Sequence, residues 1–407
     1  MVWCGVPAYA GVGYATVASA GRPPPTGRAL SHDATTLPDD LVQLVTPEGE
    51  RTSDPRWDAY RERAAHLSLA DVRDLFRDMT LVRAFDEEAT SLQRQGELGL
   101  WAQSLGQEGA QIGSGRALAP QDYVFPSYRE HGVAHTRGVD LAQVLHLFRG
   151  IDHGGWDAQA HNFQNYTLVI GAHTLHATGY AMGVQRDGLV GTGDPTKDTA
   201  VVVYFGDGST SQGDVNESLV FASVNQAPLV LFCQNNQWAI SEPNERQFRV
   251  PVARRGEGFG VPGVRVDGND VLACYAVAQE ALERARSGGG PTLVEAYTYR
   301  MGAHTTLDDP TRYRTREQEQ AWRERDPIDR VERLLRREGG WDDAWAEALA
   351  QEAADLGARV REHVRALGRP LATSMFDNVY ATEHAQVAHE REQFERYEAG
   401  FADGGAR

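Results

Sequence analysis

The sequence predicts an α/β protein with a doubly wound, mostly parallel sheet and helices on both faces, flanked by an N-terminal arm and C-terminal helices. Between about residues 101 and 300, short apolar runs alternate with amphipathic stretches, which is the pattern of strand–helix–strand units. Two of the apolar runs end in short glycine-rich or polar motifs, as strands do at the ligand-binding edge of an open sheet.

These two motifs follow consecutive predicted strands. The apolar run 200–205 ends at Gly206, Asp207 and Gly208, and the run 227–233 is followed shortly by Asn235 and Asn236. The stretch 214–225 between the runs is amphipathic and predicts a crossover helix. Because a crossover helix makes the two strands parallel, we expect both motifs at the same edge of the sheet.

The residue types at that edge are suited to a hard cation beside a phosphate. Asp207, the Asn236 amide oxygen and the main-chain carbonyl of Trp238 are oxygen ligands of the kind that Mg²⁺ takes, with diphosphate oxygens and water completing six. Gly206 and Gly208 let the backbone approach the phosphates closely. The motifs therefore predict a Mg²⁺–diphosphate site and indicate thiamine diphosphate as the cofactor.

Further features of the loop bear on this interpretation. Ser209 continues the glycine loop and is predicted to contact the cofactor, and the helix that begins near Asp214 would direct its N–H groups toward the anion. The structural alternative is a pair of ordinary polar turns. A dinucleotide-binding loop fits less well, because Ser211 stands where the third glycine is required.

The wider chain, from about residue 69 to residue 397, resembles the α subunit of the E1 component of 2-oxo acid dehydrogenase complexes, of the branched-chain and pyruvate types. The resemblance is carried by Leu100-Trp101, Gly106-Gln107-Glu108, residues 126–132, residues 206–241, residues 299–310 and Tyr313-Arg314. It implies the thiamine diphosphate-binding fold. It also implies oxidative decarboxylation of a 2-oxo acid and reductive acylation of the lipoyl group of an E2 acyltransferase.

The resemblance also assigns residues. Tyr128 and Arg129 would contact the diphosphate, and Ile170 would pack near the cofactor rings. His304 lies in the loop that covers the cofactor, where it would bind the cofactor and act in acyl transfer; its ordinary pKa of about 6.5 suits proton transfer. The residues expected to order that loop are Arg300, Asp308, Tyr313 and Arg314.

The resemblance further implies that the chain carries half of an active site. The glutamate that activates the cofactor belongs to a partner E1 β subunit, so we expect an α2β2 heterotetramer that also meets E2. Branched-chain 2-oxo acids are favoured over pyruvate as substrate. Two other classes stay open: a split transketolase-like enzyme, which would lack the loop pattern at 300–314, and a non-catalytic Mg-phosphate-binding paralogue.

Two positions depart from the family pattern. Some relatives have arginine immediately before the asparagine pair, where this chain has Gln234, so one cation on the diphosphate is missing or comes from elsewhere. Residues 166–173 lack the Ser/Pro/Thr/Gln pattern with which some relatives hold a monovalent cation. We therefore do not predict that cation site.

Composition excludes several other classes. The net charge of −17 argues against nucleic-acid binding, and the sequence has no apolar run long enough to span a membrane. The three cysteines lack zinc-ligand spacing and favour a reducing compartment, the cytoplasm. Lys197, the single lysine, lies in a polar loop, which disfavours Schiff-base chemistry and places lipoate on another chain.

Three regions are expected along the chain. Residues 1–66 form an extended N-terminal arm whose first 36 residues are disordered and whose remainder contacts a partner. Residues 67–325 form the diphosphate-binding α/β domain, which begins with a helix capped by Ser68 and Asp71 and ended by Gly96. Residues 326–407 form a helical region for subunit contacts. Charged helices are predicted at 316–337, 343–367 and 382–398, and solvent exposure is the alternative to subunit contact.

Overall fold

The computed structural model describes residues 37–368 and 371–402. Its helices are α1 (Asp58–Ala64), α2 (Leu69–Arg94), α3 (Glu108–Arg116), α4 (His131–Thr136), α5 (Leu141–Arg149), α6 (Ala172–Arg186), α7 (Gly213–Asn225), α8 (Asn244–Gln247), α9 (Arg255–Gly258), α10 (Val271–Arg286), α11 (Arg316–Arg323), α12 (Pro327–Arg337), α13 (Asp343–Ala366) and α14 (Ala385–Ala402). Its strands are β1 (Tyr123–Phe125), β2 (Val201–Gly206), β3 (Leu229–Asn235), β4 (Trp238–Ala239), β5 (Glu242–Pro243), β6 (Gly263–Asp267) and β7 (Thr292–Tyr297).

The central sheet has five strands in the order β1-β2-β3-β7-β6, and all neighbouring pairs are parallel. The predicted parallel pairing of the two motif-bearing strands is confirmed, with Gly206 at the end of β2 opposite Gln234 near the end of β3. The short strands β4 and β5 form an antiparallel hairpin directly after β3. The motifs at the ends of β2 and β3 therefore lie side by side.

The sheet is covered on both faces, as predicted. Along β2, Val202 and Tyr204 join the cluster that includes α2, α3 and α10, whereas Val201, Val203 and Phe205 join the cluster that includes α6 and α7. This alternation follows from the two-residue period of a strand. Because both faces are apolar, residues 201–205 of β2 and 229–233 of β3 are continuous apolar runs, typical of buried parallel strands.

The boundaries of α2 and α10 follow the sequence signals. Ser68 and Asp71 form a reciprocal capping box at the start of α2, and Gly96, with φ +81°, follows its end. Asp270 caps α10 by accepting hydrogen bonds from the main-chain N–H groups of Leu272 and Ala273. These local hydrogen bonds satisfy donors that the first helical turn leaves free.

The described part of the predicted N-terminal arm packs on its own chain. Leu41, Val42, Leu44 and Val45 are buried, and Asp270 Oδ2 accepts hydrogen bonds from the main-chain N–H groups of Leu44 (2.6 Å) and Val45 (2.7 Å). The sequence analysis did not predict this packing, and contact of the arm with a partner stays a prediction. The disorder predicted for residues 1–36 lies outside the described residues.

The prediction of one helix over 316–337 is also wrong. The chain forms α11 and α12 instead, separated by a turn at Asp326, whose side chain accepts from Ile328 N at 2.8 Å. Pro327 begins α12 because proline lacks the N–H group that a helix interior requires and suits a first turn. In the described part of the chain, no helix combines the length and the apolar character needed to cross a membrane.

Candidate functional site

A cavity of about 440 Å³ opens at the carboxyl ends of β2 and β3. All ten residues that the sequence analysis assigns to the cofactor or metal line it: Tyr128, Arg129, Ile170, Gly206, Asp207, Gly208, Ser209, Asn236, Trp238 and His304. They come from five separate stretches of the chain. Their convergence is a fact of the fold, and their individual roles remain predictions.

Asp207 occupies the floor of the cavity at the end of β2. It is buried, and its Oδ2 accepts a hydrogen bond from Gln247 Nε2 at 2.9 Å. Burial raises the pKa of the Asp207 carboxyl to about 6, although the hydrogen bond from Gln247 and the charge of Arg300 act against the rise. A carboxylate held in this surrounding is stabilised by a cation, because burial disfavours an unpaired charge.

The glycine loop has a different local form from the one expected. A 3₁₀ helix, Asp207–Ser211, follows β2 directly, and α7 begins only at Gly213. Gly208 and Ser209 line the cavity, whereas the residues of α7 do not. The 3₁₀ turn therefore stands between the strand and α7, and the N–H groups of the turn are the ones that line the cavity; the role predicted for the following helix stays a prediction.

The second motif is held by side chains that the sequence analysis did not assign. Asn235 Nδ2 donates to Glu295 Oε1 at 2.8 Å, which fixes the first asparagine as a structural residue. Asn236 faces the cavity, and its Nδ2 donates to Gln107 Oε1 at 3.0 Å. Because the amide nitrogen of Asn236 is directed at Gln107, its oxygen is free to face a ligand, apart from a 3.3 Å hydrogen bond from Trp238 N.

The β4–β5 hairpin closes one side of the cavity. Arg300 Nη1 donates to the Trp238 carbonyl at 3.1 Å, and its Nη2 donates to the Ile240 carbonyl at 2.8 Å. Ile240 has φ +57°, an unusual backbone conformation for a β-branched residue. The guanidinium of Arg300 thus holds the hairpin tip in a strained conformation, of the kind found at functional sites. The Trp238 carbonyl keeps a second lone pair for a metal.

Two buried arginines give the cavity a positive potential. Arg129 is 6% exposed and Arg300 is 1% exposed, and both line the cavity. Burial lowers the pKa of Arg300 to about 10, and the nearby charges of Arg129 and Arg314 lower it further. Within the described chain neither cavity arginine forms an ion pair with a carboxylate; they bind main-chain carbonyls and the Tyr313 hydroxyl. Buried cations arranged in this way favour an anionic ligand.

His304 lies between the two arginines. Its Nδ1 is 3.4 Å from Arg129 Nη2 and 3.3 Å from Arg300 Nη1, and its main-chain N–H donates to Asp308 Oδ2 at 2.9 Å. Burial, reinforced by the charges of Arg129 and Arg300, lowers the pKa of His304 to about 3. The expectation of an ordinary pKa is therefore wrong, and the ring of His304 is neutral at pH 7.

Gln234 takes the place of the arginine found in some relatives. Its Nε2 donates to Glu130 Oε1 at 2.7 Å, and its Oε1 accepts from Gln111 Nε2 at 3.1 Å. Glu130 is buried at the cavity wall, and burial raises the pKa of its carboxyl. The extra cation is therefore absent from this wall, and Arg129 and Arg300 provide the positive charge.

The mouth of the cavity is apolar. Leu100, Leu168, Ile170 and Ile240 line it and remain exposed, with 38%, 58%, 39% and 57% of their surface accessible. Farther in, Ala102 and Phe148 are buried. Large aliphatic side chains that stay exposed around a cavity usually mark a surface that another molecule covers.

The donor set can be tested against a Mg²⁺–diphosphate. The buried Nε2 atom of Gln107, which lines the cavity, has no hydrogen-bond partner, so it is available to a ligand oxygen. A Cβ built on Gly206 meets no atom within 4 Å, which leaves space for a phosphate against the backbone. In the described residues no three His, Cys, Asp or Glu side chains group to hold a metal, so amide, carbonyl and phosphate oxygens would supply most ligands. The residues that line the cavity therefore fit a Mg²⁺–diphosphate.

Several residues that shape the site had little sequence signal. Gln107, Gln247 and Glu295 act through hydrogen bonds to Asn236, Asp207 and Asn235, each from a distant part of the chain. Gln107 lies in a stretch that carries the family resemblance, which was the only indication available. For Glu295, a signal existed: a charged residue inside an otherwise apolar strand needs a buried partner.

Comparison with known proteins gives consistent matches. The family model described as "Dehydrogenase E1 component" matches residues 76–366. The chain is 42% identical over 372 residues to the 3-methyl-2-oxobutanoate dehydrogenase subunit alpha of Mycobacterium tuberculosis strain H37Rv, covering 91% of this chain and 96% of that protein. It is 34% identical over 361 residues to the pyruvate dehydrogenase E1 component subunit alpha of Staphylococcus aureus strain Mu50, covering 88% and 92%.

Proposed function

Because the chain belongs to the dehydrogenase E1 component family, we propose that it is the α subunit of a branched-chain 2-oxo acid dehydrogenase. In this role it holds Mg²⁺ and the diphosphate of thiamine diphosphate, and it takes part in oxidative decarboxylation and in reductive acylation of an E2 lipoyl group. The observation that carries the proposal is the buried pair Arg129 and Arg300, which line one cavity with Asp207 and form no ion pair with a carboxylate among the described residues.

The residues divide between metal and anion. Asp207, the Asn236 amide oxygen and the Trp238 carbonyl would hold Mg²⁺, while Arg129 and Tyr128 would bind the diphosphate. The guanidinium of Arg129 lies 5.5 Å from the centre of the Tyr128 ring, which keeps both side chains at the cavity wall. When bound, thiamine diphosphate supplies an electron sink for decarboxylation.

His304 and the loop around it would serve acyl transfer. The neutral imidazole has one donor and one acceptor nitrogen, so it can hydrogen-bond an oxygen anion and can gain a proton when an anion offsets the charges of Arg129 and Arg300. Tyr313 donates to Asp308, which in turn accepts from His304 N, so the loop orients the imidazole from its own side.

The apolar end of the cavity supports a branched-chain substrate. Leu100, Ala102 and Phe148 provide an apolar wall, which gains more from burying a branched alkyl group than a single methyl group. The relative that shares 42% identity is a 3-methyl-2-oxobutanoate dehydrogenase subunit, which agrees with this preference. Pyruvate is the alternative, supported by the second relative.

Partner chains are needed to complete the site. Two exposed apolar surfaces support contact with an E1 β subunit in an α2β2 assembly. One is the aliphatic mouth of the cavity, and the other is the outer face of α7, where Val220, Phe221 and Val224 are exposed. Exposed Tyr397 and Phe401 on α14 support a further subunit contact. A cytoplasmic location is also proposed, since Cys233 and Cys274 are free and buried.

The proposal is tested by reconstitution with the β subunit. The complex should decarboxylate 3-methyl-2-oxobutanoate with a higher kcat/KM than pyruvate, and only with thiamine diphosphate and Mg²⁺ present. The purified chain alone should turn over neither acid. A preference for pyruvate would reassign the substrate, and sustained turnover by the isolated chain would overturn the half-site assignment.

A further inference from the structure

Asp86 is a buried carboxylate on α2 that does not line the cavity. Its Oδ1 accepts a hydrogen bond from Trp101 Nε1 at 2.6 Å, and its Oδ2 accepts one from the main-chain N–H of Ser104 at 3.1 Å. Both oxygens are therefore directed at the two ends of residues 101–104, which we call the bridging segment. Asp86 fixes the bridging segment against α2.

The bridging segment binds the loop that carries His304. The Thr306 main-chain N–H donates to the Trp101 carbonyl at 3.0 Å, and the Trp101 N–H donates to Thr306 Oγ1 at 3.0 Å. The Ala303 N–H donates to Gln103 Oε1 at 3.2 Å. These three hydrogen bonds hold the loop on both sides of His304.

The same segment holds Arg129. Arg129 Nη1 donates to the Gln103 carbonyl, while its Nη2 donates to the His304 carbonyl at 2.9 Å. Gln103 is itself fixed to α2, since its Nε2 donates to Thr90 Oγ1 at 2.9 Å. One four-residue segment therefore sets the position of the arginine and of the histidine loop together.

We propose that Asp86 is a positioning residue for the cofactor cavity: it holds the bridging segment in the conformation that places Arg129 and the His304 loop. The proposal rests on the proposed function where it concerns the cofactor. The structural part, that Asp86 keeps the His304 loop in one fixed conformation, does not depend on the proposed function. Without Asp86 the buried N–H groups of Trp101 and Ser104 lose their acceptor and keep the cost of desolvation, so the loss of Asp86 should be felt at the loop.

The chain offers a matched control on the same helix. Asp78 is also a buried carboxylate of α2, but it pairs with Arg116 and His135 and has no contact with the bridging segment. Asp86→Asn keeps the shape and replaces one acceptor oxygen by a donor that faces another donor. Asp78→Asn makes the same chemical change at a site that does not reach the cavity.

The test uses the complex of this chain with its β subunit. Trypsin cleavage after the exposed Arg312, followed by mass spectrometry without and with thiamine diphosphate and Mg²⁺, reports the order of the loop. The KM for thiamine diphosphate and kcat are measured in parallel. In Asp86→Asn we expect cleavage of the cofactor-free complex to be about tenfold faster and the cofactor KM about tenfold higher, the effect of leaving a buried N–H group without its acceptor. Asp78→Asn should lower the melting temperature and leave both values unchanged.

A second variant keeps the proposal testable if Asp86→Asn fails to assemble. Thr306→Val removes only the acceptor for Trp101 N and should shift cleavage and KM in the same direction by a smaller factor. Equal cleavage and KM in Asp86→Asn and Asp78→Asn would overturn the proposal, as would unchanged cleavage in Thr306→Val. If the activity of the wild-type complex did not depend on thiamine diphosphate and Mg²⁺, the proposed function would be overturned. The rates of trypsin cleavage without cofactor would still decide the role of Asp86.

Discussion

Arg129 Nη2 donates a hydrogen bond of 2.9 Å to the main-chain carbonyl of His304, so an arginine and a histidine 175 residues apart are in direct contact. The contact joins the wall of the cavity to the loop that closes it. It also explains the low pKa of His304, since burial and the adjacent guanidinium both disfavour the protonated ring. An anion that neutralises Arg129 would remove part of that penalty.

Binding of thiamine diphosphate should therefore be accompanied by proton uptake at His304. Burial and the two arginines hold the pKa of the ring at about 3, and the negative charge of a bound diphosphate would raise that pKa. Calorimetry at pH 6 in buffers of different ionisation enthalpy gives the net number of protons taken up on binding, and His304→Gln should lower that number relative to the wild-type complex. The same net number of protons in His304→Gln and in the wild-type complex would contradict the prediction.

The same shift predicts how stability depends on pH. The unfolded chain has an ordinary histidine pKa of about 6.5, so between about pH 6.5 and pH 3 it binds more protons at this position than the folded chain does. Stability from this group is fully present above pH 6.5 and is lost as the pH falls toward 3. His304→Gln should flatten that part of the melting-temperature profile, and an unaltered slope would argue against the assignment.

His304→Ala should slow acyl transfer far more than it weakens assembly. Proton transfer and hydrogen bonding at a reacting group typically contribute roughly 10²–10⁴-fold to rate. We expect a loss in that range for reductive acylation of a lipoyl domain, with α–β assembly by size-exclusion chromatography unchanged. Thr311→Ala, an exposed position in the same loop, is the control and should leave acyl transfer intact. Assembly and acyl transfer falling together would make His304 a structural residue.

Asp207→Ala should abolish the Mg²⁺ dependence of cofactor binding without unfolding the chain. Asp207 begins the 3₁₀ helix Asp207–Ser211 and its carboxylate is buried at a cost in desolvation, so its removal relieves an unfavourable burial and should leave the fold intact. We expect the affinity for thiamine diphosphate to fall by at least the roughly 10–100-fold that loss of a metal's outer partner costs. Asp214→Ala, on α7 and outside the cavity, is the control. Wild-type affinity by calorimetry in the Asp207→Ala complex would remove the metal assignment.

The extent to which the sequence predicts this site depends on the distance between interacting residues. Asp207 and Asn236 are predictable because each ends its own strand, and parallel pairing brings the strand ends together. The hydrogen bonds of Arg300 to the hairpin could not be derived, because they require the left-handed conformation of Ile240. The pKa of His304 depends on two arginines that only the tertiary fold places beside it.

The features that the fold prediction missed have a similar origin, with one exception. The packing of residues 41–45 depends on Asp270, more than 200 residues away, and no local pattern indicates it. The break between α11 and α12 was predictable, since Asp326 and Pro327 form a helix-start signal inside the charged stretch. Amphipathic periodicity continues across that signal and favoured a single helix.

The two glycines of the motif should respond in opposite ways to alanine. A Cβ on Gly208 would lie 2.8 Å from Ala239 Cβ, so Gly208→Ala must displace the β4–β5 hairpin and should destabilise the chain by about 1–3 kcal/mol. A Cβ on Gly206 meets no atom within 4 Å, and its φ of −84° suits alanine, so Gly206→Ala should keep or slightly raise the melting temperature.

Cofactor affinity separates the two effects, because the methyl group of Gly206→Ala would enter space that a phosphate needs beside the backbone. We expect Gly206→Ala to weaken thiamine diphosphate binding by calorimetry at unchanged stability, whereas Gly208→Ala should lose affinity and stability together. The two variants share a loop and differ by the same single methyl group, so each serves as the control for the other. Wild-type affinity in a stable Gly206→Ala complex would mean that the diphosphate does not approach the end of β2.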